Sequence, residues 1–429
     1  MRSLLKIALA VAVVLALATL ANAQTPQARP VCVAHIPLPA DLSGTLDGSD
    51  YRIRVPKNWN GTLLVYAHAG STTELEIAPQ AFPPASPTLE QQLLSRRYAL
   101  AGIFYPNDGN SEKAALELTL AITRFFHDAV GKPCRTIVWG VSTGGTVALQ
   151  MAESHPATYD GAIAIAPVGA GRARDADFML QYDLAYAAAF GWPTDWWGPV
   201  EDIRDDLWGQ EATLVMPVFQ WADNTNYGQW EFVRLVMQLP SRTWWDYDEF
   251  IGIWGYAIEG WKSIVYRSLL EQVCGAPVAQ NIGVVYTLTD DEKAYLSGLG
   301  VNPESLLAWM NAHAKIAPTR QARECAARDG TPTGKLRRPA LTMHGMYDPV
   351  VVVSEEAAYR DLVKAAHRGD LLVQTYADIV GHISFSAEQY LAELKAMEYW
   401  LNTGIRPGKR FFPEKFGFGN SFVPPPWPY

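Results

Sequence analysis

Thr136-Ile137-Val138-Trp139-Gly140-Val141-Ser142-Thr143-Gly144-Gly145-Thr146-Val147-Ala148 decides the reading of this chain. An apolar, β-type run leads into the turn, and a helix-compatible run leads out. Gly-x-Ser-x-Gly between a strand and a helix is the nucleophile-elbow pattern. Such a turn is sharp enough to strain the serine backbone. Residues two before and two after must be small to avoid collision, and Gly140 and Gly144 meet that demand. A glycine/serine turn can also be purely structural, so the reading rests on what surrounds it.

Upstream, Tyr51-Arg52-Ile53-Arg54-Val55 alternates as a half-buried strand does, and Pro56 to Gly61 is a turn. Thr62-Leu63-Leu64-Val65-Tyr66-Ala67 and Ala99 to Tyr105 are continuous apolar runs, as buried central strands should be. A helix fits Glu112 to Val130, and Tyr159 to Pro167 is another buried strand. Strands alternating with helices imply a parallel α/β sheet with crossover helices. The pattern stops near Gly171. It resumes at Pro339-Ala340-Leu341-Thr342-Met343-His344-Gly345, followed by a helix over Ser354–Ala366, a strand over Leu371–Tyr376 and a last helix over Ala387–Leu401.

The stretch between, 171–338, holds 11 of the 15 tryptophans. Helix-like segments such as Phe178–Ala189 and Asp248–Leu270 make it a mostly helical cap over the active end of the sheet. The expected organisation is therefore a leader over 1–23, core over 24–170 and 339–405, the cap over 171–338, and a Pro/Phe-rich tail over 406–429. The tail either wraps the domain, hangs loose or binds a partner.

The chain opens with basic Arg2 and Lys6, an apolar run to about Leu20 and Ala21-Asn22-Ala23, which reads as a secretory signal peptide cut after Ala23. Removing 23 of 429 residues leaves 406. Without Arg2 and Lys6 there are 33 basic and 44 acidic residues, a net charge of −11. That charge argues against nucleic acid or an anionic membrane as partner. A secreted or periplasmic protein with a small-molecule substrate is expected, and no cofactor. Four cysteines in an exported chain favour two disulfides, and three pairings are open. Cys32 and Cys134 flank core strands and Cys274 and Cys325 share the middle region, which points to Cys32–Cys134 and Cys274–Cys325. No Cys-x-x-Cys or His-x-x-x-His spacing suggests zinc.

A nucleophilic serine needs a base to take its proton and a carboxylate to orient that base. Asp348 stands just past the strand that resumes at Pro339, and His382 lies in the loop before the final helix. Ser142, Asp348 and His382 thus follow three different strands, in the order Ser, Asp, His. Alone, Asp348 before Pro349 would read as a turn residue and His382 as surface; together they read as a triad. Asp378 is the rival acid, too close in sequence to His382. His344 is the rival base, with a structural role the better reading. For the oxyanion, Thr143 should supply one backbone N–H, and Gly70, in the loop after the His68 strand, the other.

These residues resemble the α/β-hydrolase superfamily: His68-Ala69-Gly70, Gly140-Val141-Ser142-Thr143-Gly144, His344-Gly345 with Asp348, and Gly381-His382. The resemblance covers roughly 31–170 and 339–405. It implies an eight-stranded, mostly parallel sheet with a cap inserted after the sixth strand. Ala69 departs from the usual His-Gly. Ser142 to Gly145 with His155 to Pro167 is also similar to tannases and feruloyl esterases. Those enzymes usually bridge cysteines beside the catalytic Ser and His, where this chain has Val141 and Ile383.

The expected chemistry is acyl transfer to water by a secreted serine hydrolase, a carboxylic-ester hydrolase for a bulky apolar or aromatic ester. With neutral His382 as base, activity should fall as pH drops through about 6.5. The cap tryptophans are the expected apolar surface for the substrate, although most would form the cap's own core. An exo-peptidase or amidase is the alternative, and it would need cap carboxylates, for example near Asp248 or Glu249, aimed at an amine. A non-catalytic binding protein on the same scaffold is a third reading.

Overall fold

The computed structural model describes residues 32–70, 73–105, 111–220, 226–249, 252–328 and 330–428. The leader over 1–23 lies outside them, as does Trp221.

Eight strands make one sheet: β1 (Ala40–Leu46), β2 (Ser49–Val55), β3 (Thr62–Ala67), β4 (Ala99–Ile103), β5 (Arg135–Val141), β6 (Gly161–Ile165), β7 (Ala340–Tyr347) and β8 (Leu372–Val380). Their spatial order is β1-β2-β4-β3-β5-β6-β7-β8. β1 pairs antiparallel with β2, and β2 antiparallel with β4; every other pairing is parallel. This is the α/β-hydrolase fold.

The apolar runs sit where their composition requires. All residues of β3, β4 and β6 are buried, with helices on both faces, whereas edge strand β1 is largely exposed. Because successive strand side chains point to opposite faces, β3 feeds two cores. Leu63 and Val65 pack with Ile122, Phe126 and Leu149, from helices α2 (Ser111–Ala129) and α3 (Thr143–Ser154). Leu64 and Tyr66 pack with Tyr390, Leu394 and Met397, from α7 (Ala387–Thr403).

Between β6 and β7 the chain builds a third core around helices α4 (Arg172–Phe190) and α5 (Gly255–Cys274). Helix α4 extends beyond the Phe178–Ala189 segment expected from sequence. The Asp248–Leu270 segment instead splits: Tyr247–Asp248 and Ile253–Trp254 pair as an antiparallel ribbon, and α5 starts only at Gly255. The split has a steric cause. Gly252 turns at φ +83°, and a Cβ on Gly255 would stand 1.7 Å from the Thr243 carbonyl oxygen.

The buried axis of the cap is ionic. Arg267, on α5, is fully buried. It donates to Asp183 of α4 at 2.5 Å, to Glu271 at 3.0 Å and to the Val200 carbonyl at 3.0 Å. The disulfides are Cys32–Cys134 and Cys274–Cys325, the pairings expected. The tail lies on the domain: Phe418 bridges Ala377, and the Trp427 ring packs 5.7 Å from that of Phe178 in the cap. Among the described residues no helix is long and apolar enough to cross a membrane.

Candidate active site

Ser142 sits between β5 and α3 with φ +56° and ψ −122°, a conformation non-glycine residues rarely adopt. Its strain is held from both sides: the Ser142 N–H donates to Ile165 of β6 at 2.8 Å, and its carbonyl accepts the first bond of α3 from Thr146 at 3.1 Å. The flanking glycines are required by contact. A Cβ on Gly140 would stand 2.3 Å from the Gly144 carbonyl oxygen, and one on Gly144 would stand 2.0 Å from that of Ala67. The elbow is thus pressed onto the end of β3, and Thr143 opens α3, where backbone N–H groups lack helical partners.

The loop after β3 is braced by His68. Its Nε2 accepts the Tyr105 N–H at 3.0 Å, so Nδ1 carries the proton and donates to the Ala69 carbonyl at 2.7 Å. Burial pushes this imidazole down to about 4, which keeps it neutral at physiological pH. The Tyr105 hydroxyl donates to the His68 carbonyl. Gly70 follows, buried in the turn, so Gly70 and Thr143 belong to two segments that meet at the elbow.

Asp348 and His382 come together. His382 Nδ1 donates to Asp348 Oδ2 at 2.8 Å, and the other oxygen of Asp348 accepts the Val350 and Val351 N–H groups at 2.8 and 2.9 Å. Asp348 is therefore both a turn residue and a partner for His382. Burial would push its carboxyl up, but the imidazoles of His382 and His344 against it hold it well below the usual carboxylate range. His382 Nε2 is buried and has no hydrogen-bond partner among the described residues.

The two rivals lie elsewhere. Asp378 is exposed and pairs with Arg242 of the cap at 2.7 Å. His344 is fully buried behind Asp348, donating from Nε2 to the Val351 carbonyl at 2.8 Å and facing Glu356 from Nδ1 at 3.4 Å. Burial would lower its pKa, but Asp348 and Glu356 raise it to about 10, so it stays charged and fixes the 348–351 loop. Asp248 lies against the backbone beside His382: a Cβ on Gly381 would stand 2.9 Å from Asp248 Oδ2.

Ser142 and Thr143 line a narrow cleft that is open to solvent at its mouth. Its apolar wall includes Val168, Val350, Val351, Tyr266 and Leu269. Its polar wall is Glu112 of α2, Arg172 and Asp175 of α4, and Lys262 of α5. Among the described tryptophans of the cap none lines it. Trp197, Trp230 and Trp244 are buried in the cap core, while Trp196 and Trp254 are about half exposed. The expected tryptophan surface is therefore the cap's own packing, and shorter side chains form the cleft. Sequence reasoning missed the polar wall. Its one visible signal is α5, an otherwise buried helix carrying Glu259, Lys262, Arg267 and Glu271 three to five residues apart. A second cleft, on the other side of the elbow, is lined by Ala69, Val141, Ile383, Tyr66, Glu76 and Tyr390 among others. No group of three or more potential metal ligands occurs among the described residues.

No protein-family model matches the chain. It is 24% identical over 425 residues to an o-phthalyl amidase of Xanthobacter agilis, covering 87% of this chain and 89% of that one. Among solved structures, feruloyl esterase B from Aspergillus oryzae aligns over 86% of this chain and 80% of its own, with 14% identity and a TM-score of 0.41. A hydrolase from Pseudomonas aeruginosa PA01 aligns over 87% and 97%, with 14% identity and a TM-score of 0.34. Acylaminoacyl peptidase from Pyrococcus horikoshii aligns over 89% of this chain and 44% of its own length, with 9% identity and a TM-score of 0.40.

Proposed function

We propose that the chain is a serine hydrolase that cleaves carboxylic esters through an acyl-enzyme. Ser142 is the nucleophile, His382 the base, Asp348 its orienting carboxylate, and the Gly70 and Thr143 N–H groups the oxyanion donors. The observation that carries this is the His382 Nδ1–Asp348 Oδ2 bond of 2.8 Å, made by loops that follow two strands other than the one leading into strained Ser142. Donation from Nδ1 leaves Nε2 as the proton acceptor.

In the first half-reaction the Ser142 oxygen adds to the substrate carbonyl while its proton passes to His382 Nε2. The negative charge that develops on the carbonyl oxygen is met by the two N–H groups. Collapse breaks the bond to the leaving oxygen, which takes the proton from His382. Water then repeats the sequence, losing a proton to His382 and releasing the acid and free Ser142. The apolar wall of Val168, Tyr266, Leu269, Val350 and Val351 suits a bulky apolar or aromatic group. Cleavage of amides is the second reading, favoured by the amidase relative, which aligns along 87% of this chain. The same steps then expel an amine. The two disulfides support a secreted or periplasmic location.

The test compares wild type with Ser142→Ala on nitrophenyl esters of varied acyl length, aromatic esters and aryl amides, alongside labelling by a fluorophosphonate. Ester turnover lost in Ser142→Ala, with Ser142 the labelled residue, is the expected result. Faster turnover of amides than of matched esters would favour the second reading. Absence of both turnover and label would refute both.

A further inference from the structure

The second cleft, beside Ile383, differs in chemistry from the one at Ser142. Its wall includes two buried tyrosines, Tyr66 of β3 at 3% exposed and Tyr390 of α7 at 2% exposed. Both rings pack on Trp139, with centroids 5.8 and 6.4 Å away, and Phe385 lies 5.9 Å from Tyr390. The Tyr66 hydroxyl bonds to Glu76. The Tyr390 hydroxyl has no hydrogen-bond partner among the described residues, although its side chain is almost wholly buried and lines the cleft. A buried hydroxyl left unpaired is costly, and its oxygen can accept from a donor placed in the cleft.

The other polar wall is acidic. Glu74 and Glu76 line the cleft, and no lysine, arginine or histidine is among its lining residues. Glu76 accepts from Gln80 Nε2 at 2.8 Å and from Tyr66, which leaves part of its acceptor capacity unused. Burial, with Glu74 beside it, pushes its carboxyl up from the usual value, and a cation in the cleft would oppose that. The segment that carries Glu76 is fixed. A Cβ on Gly102 of β4 would stand 2.3 Å from the Glu76 carbonyl oxygen, and Ile77 and Ala78 are buried. The Phe82 N–H donates to the Phe385 carbonyl at 2.8 Å, which ties this segment to the loop that follows His382.

The side of the scissile bond follows from proton traffic. His382 protonates the leaving group, which must therefore lie next to it. Ile383 lines this cleft together with Val141, which precedes Ser142, and Ala69, which precedes Gly70. The cleft at Ser142 and Thr143 has no residue of the His382 loop in its wall. The acidic cleft therefore receives the leaving portion.

We infer that Glu76, with the Tyr390 hydroxyl, binds an ammonium group on the leaving portion of the substrate, so that the preferred substrates release an alcohol or amine that carries a further cationic nitrogen. This inference rests on Ser142 as nucleophile and His382 as the proton donor to the leaving group.

The test uses acetate and benzoate esters of para-(aminomethyl)phenol and para-(aminoethyl)phenol. Each is compared with its uncharged counterpart, the ester of para-ethylphenol or para-propylphenol, and with its anionic one, the ester of para-(carboxymethyl)phenol or para-(carboxyethyl)phenol. Each kcat/KM is divided by the rate constant for hydroxide hydrolysis of the same ester, which removes differences in intrinsic reactivity. For at least one spacer the ammonium ester is expected to exceed its uncharged counterpart by about tenfold or more, the range for a hydrogen bond to a charged group, with the anionic ester below both. Esters of one acid share an acyl-enzyme, so where its hydrolysis limits turnover the whole preference falls on KM. Glu76→Gln should reduce the ammonium preference about tenfold, Glu76→Asp should retain part of it, and Tyr390→Phe should reduce it about threefold. Equal corrected turnover of the three esters would overturn the inference. So would preference for the anionic ester, or an ammonium preference that survives Glu76→Gln. If Glu76→Gln does not fold, the wild-type preference and its reduction in Tyr390→Phe decide in the same way. Fluorophosphonate labelling of Ser142 without ammonium preference, or without turnover of any of these esters, would sink this inference alone; loss of labelling and of all turnover would sink it together with the nucleophile assignment.

Discussion

Adding one methyl group at Gly144 should separate catalysis from stability. The Cβ of Gly144→Ala would stand 2.0 Å from the Ala67 carbonyl oxygen, 2.5 Å from its carbon and 2.6 Å from the His68 carbonyl oxygen. Ordinary contact begins near ~3.5 Å, so backbone must retreat by more than about 1 Å. All three atoms are main chain, and no flexible side chain can absorb the shift. What moves is either α3, which carries Thr143, or the end of β3 with the loop leading to Gly70. Overpacking of this kind costs about 1–3 kcal/mol. In a chain of this length the unfolding entropy is about 0.8 kcal/mol/K, so even ~3 kcal/mol lowers Tm by only about 4 °C. A displacement of about 1 Å in catalytic groups costs about a hundredfold in rate. Activity should therefore collapse in a protein that still melts cooperatively. The assay is kcat on an aryl ester and the rate of fluorophosphonate labelling, read beside a thermal melt. Gly298→Ala is the control, since nothing lies within 4 Å of its added Cβ. Gly144→Ala with kcat within about threefold of wild type would refute the claim that the glycines hold the elbow against β3.

Asp348→Asn should cost about three orders of magnitude or more in kcat, because an amide cannot select the Nδ1–H tautomer of His382 as a carboxylate does; the measurement is kcat with the melt as control. Arg267→Met should lower stability by about 3–5 kcal/mol in urea melts, since it strands Asp183 and Glu271 in the cap core. Glu393 is fully buried, accepts one bond from Thr375 at 2.5 Å, and is pushed up by burial to about 8. Between the ordinary Glu value and about 8 the folded state holds a proton that the unfolded chain loses, so this group makes stability fall as pH rises, by at most about 1.4 kcal/mol per pH unit. Glu393→Gln should therefore gain stability relative to wild type from pH 5 to pH 8 in denaturant melts; a constant difference would refute the assignment.

The arrangement of the candidate site was legible because each of its parts obeys a local rule. Gly140 and Gly144 announce a steric demand two residues either side of Ser142. Asp348 and His382 each follow an apolar run whose length marks it as a central strand, and parallel topology then carries both runs to the same end of the sheet as Ser142. His344 shows where such rules stop: its composition allowed a base, and only the Val351 carbonyl and Glu356 around it reveal a fixed cation behind Asp348. The ribbon of Tyr247–Asp248 and Ile253–Trp254 escaped for the same reason, since the Thr243 carbonyl that forbids a Cβ at Gly255 is a contact and not a pattern.

The wall of the cleft beside Ser142 is built from contacts of this second kind. Lys262 is 120 residues from Ser142 and lines the same cleft, brought there by the packing of α5 on α4. Tryptophan count was a poor guide there: a large ring stabilises most when buried on every side, so the cap places Trp197, Trp230 and Trp244 in its own core. A buried charge is the better indicator. Taking either cation of α5 out of water is unfavourable, and each is met by carboxylates: Lys262 donates to Asp175, and Arg267 to Asp183, Glu271 and the Val200 carbonyl. Arg267 is accounted for by the cap it holds together. Lys262 is held by its own carboxylates too, but it also lines the cleft that Ser142 opens into, and position rather than pairing distinguishes these two buried cations of one helix.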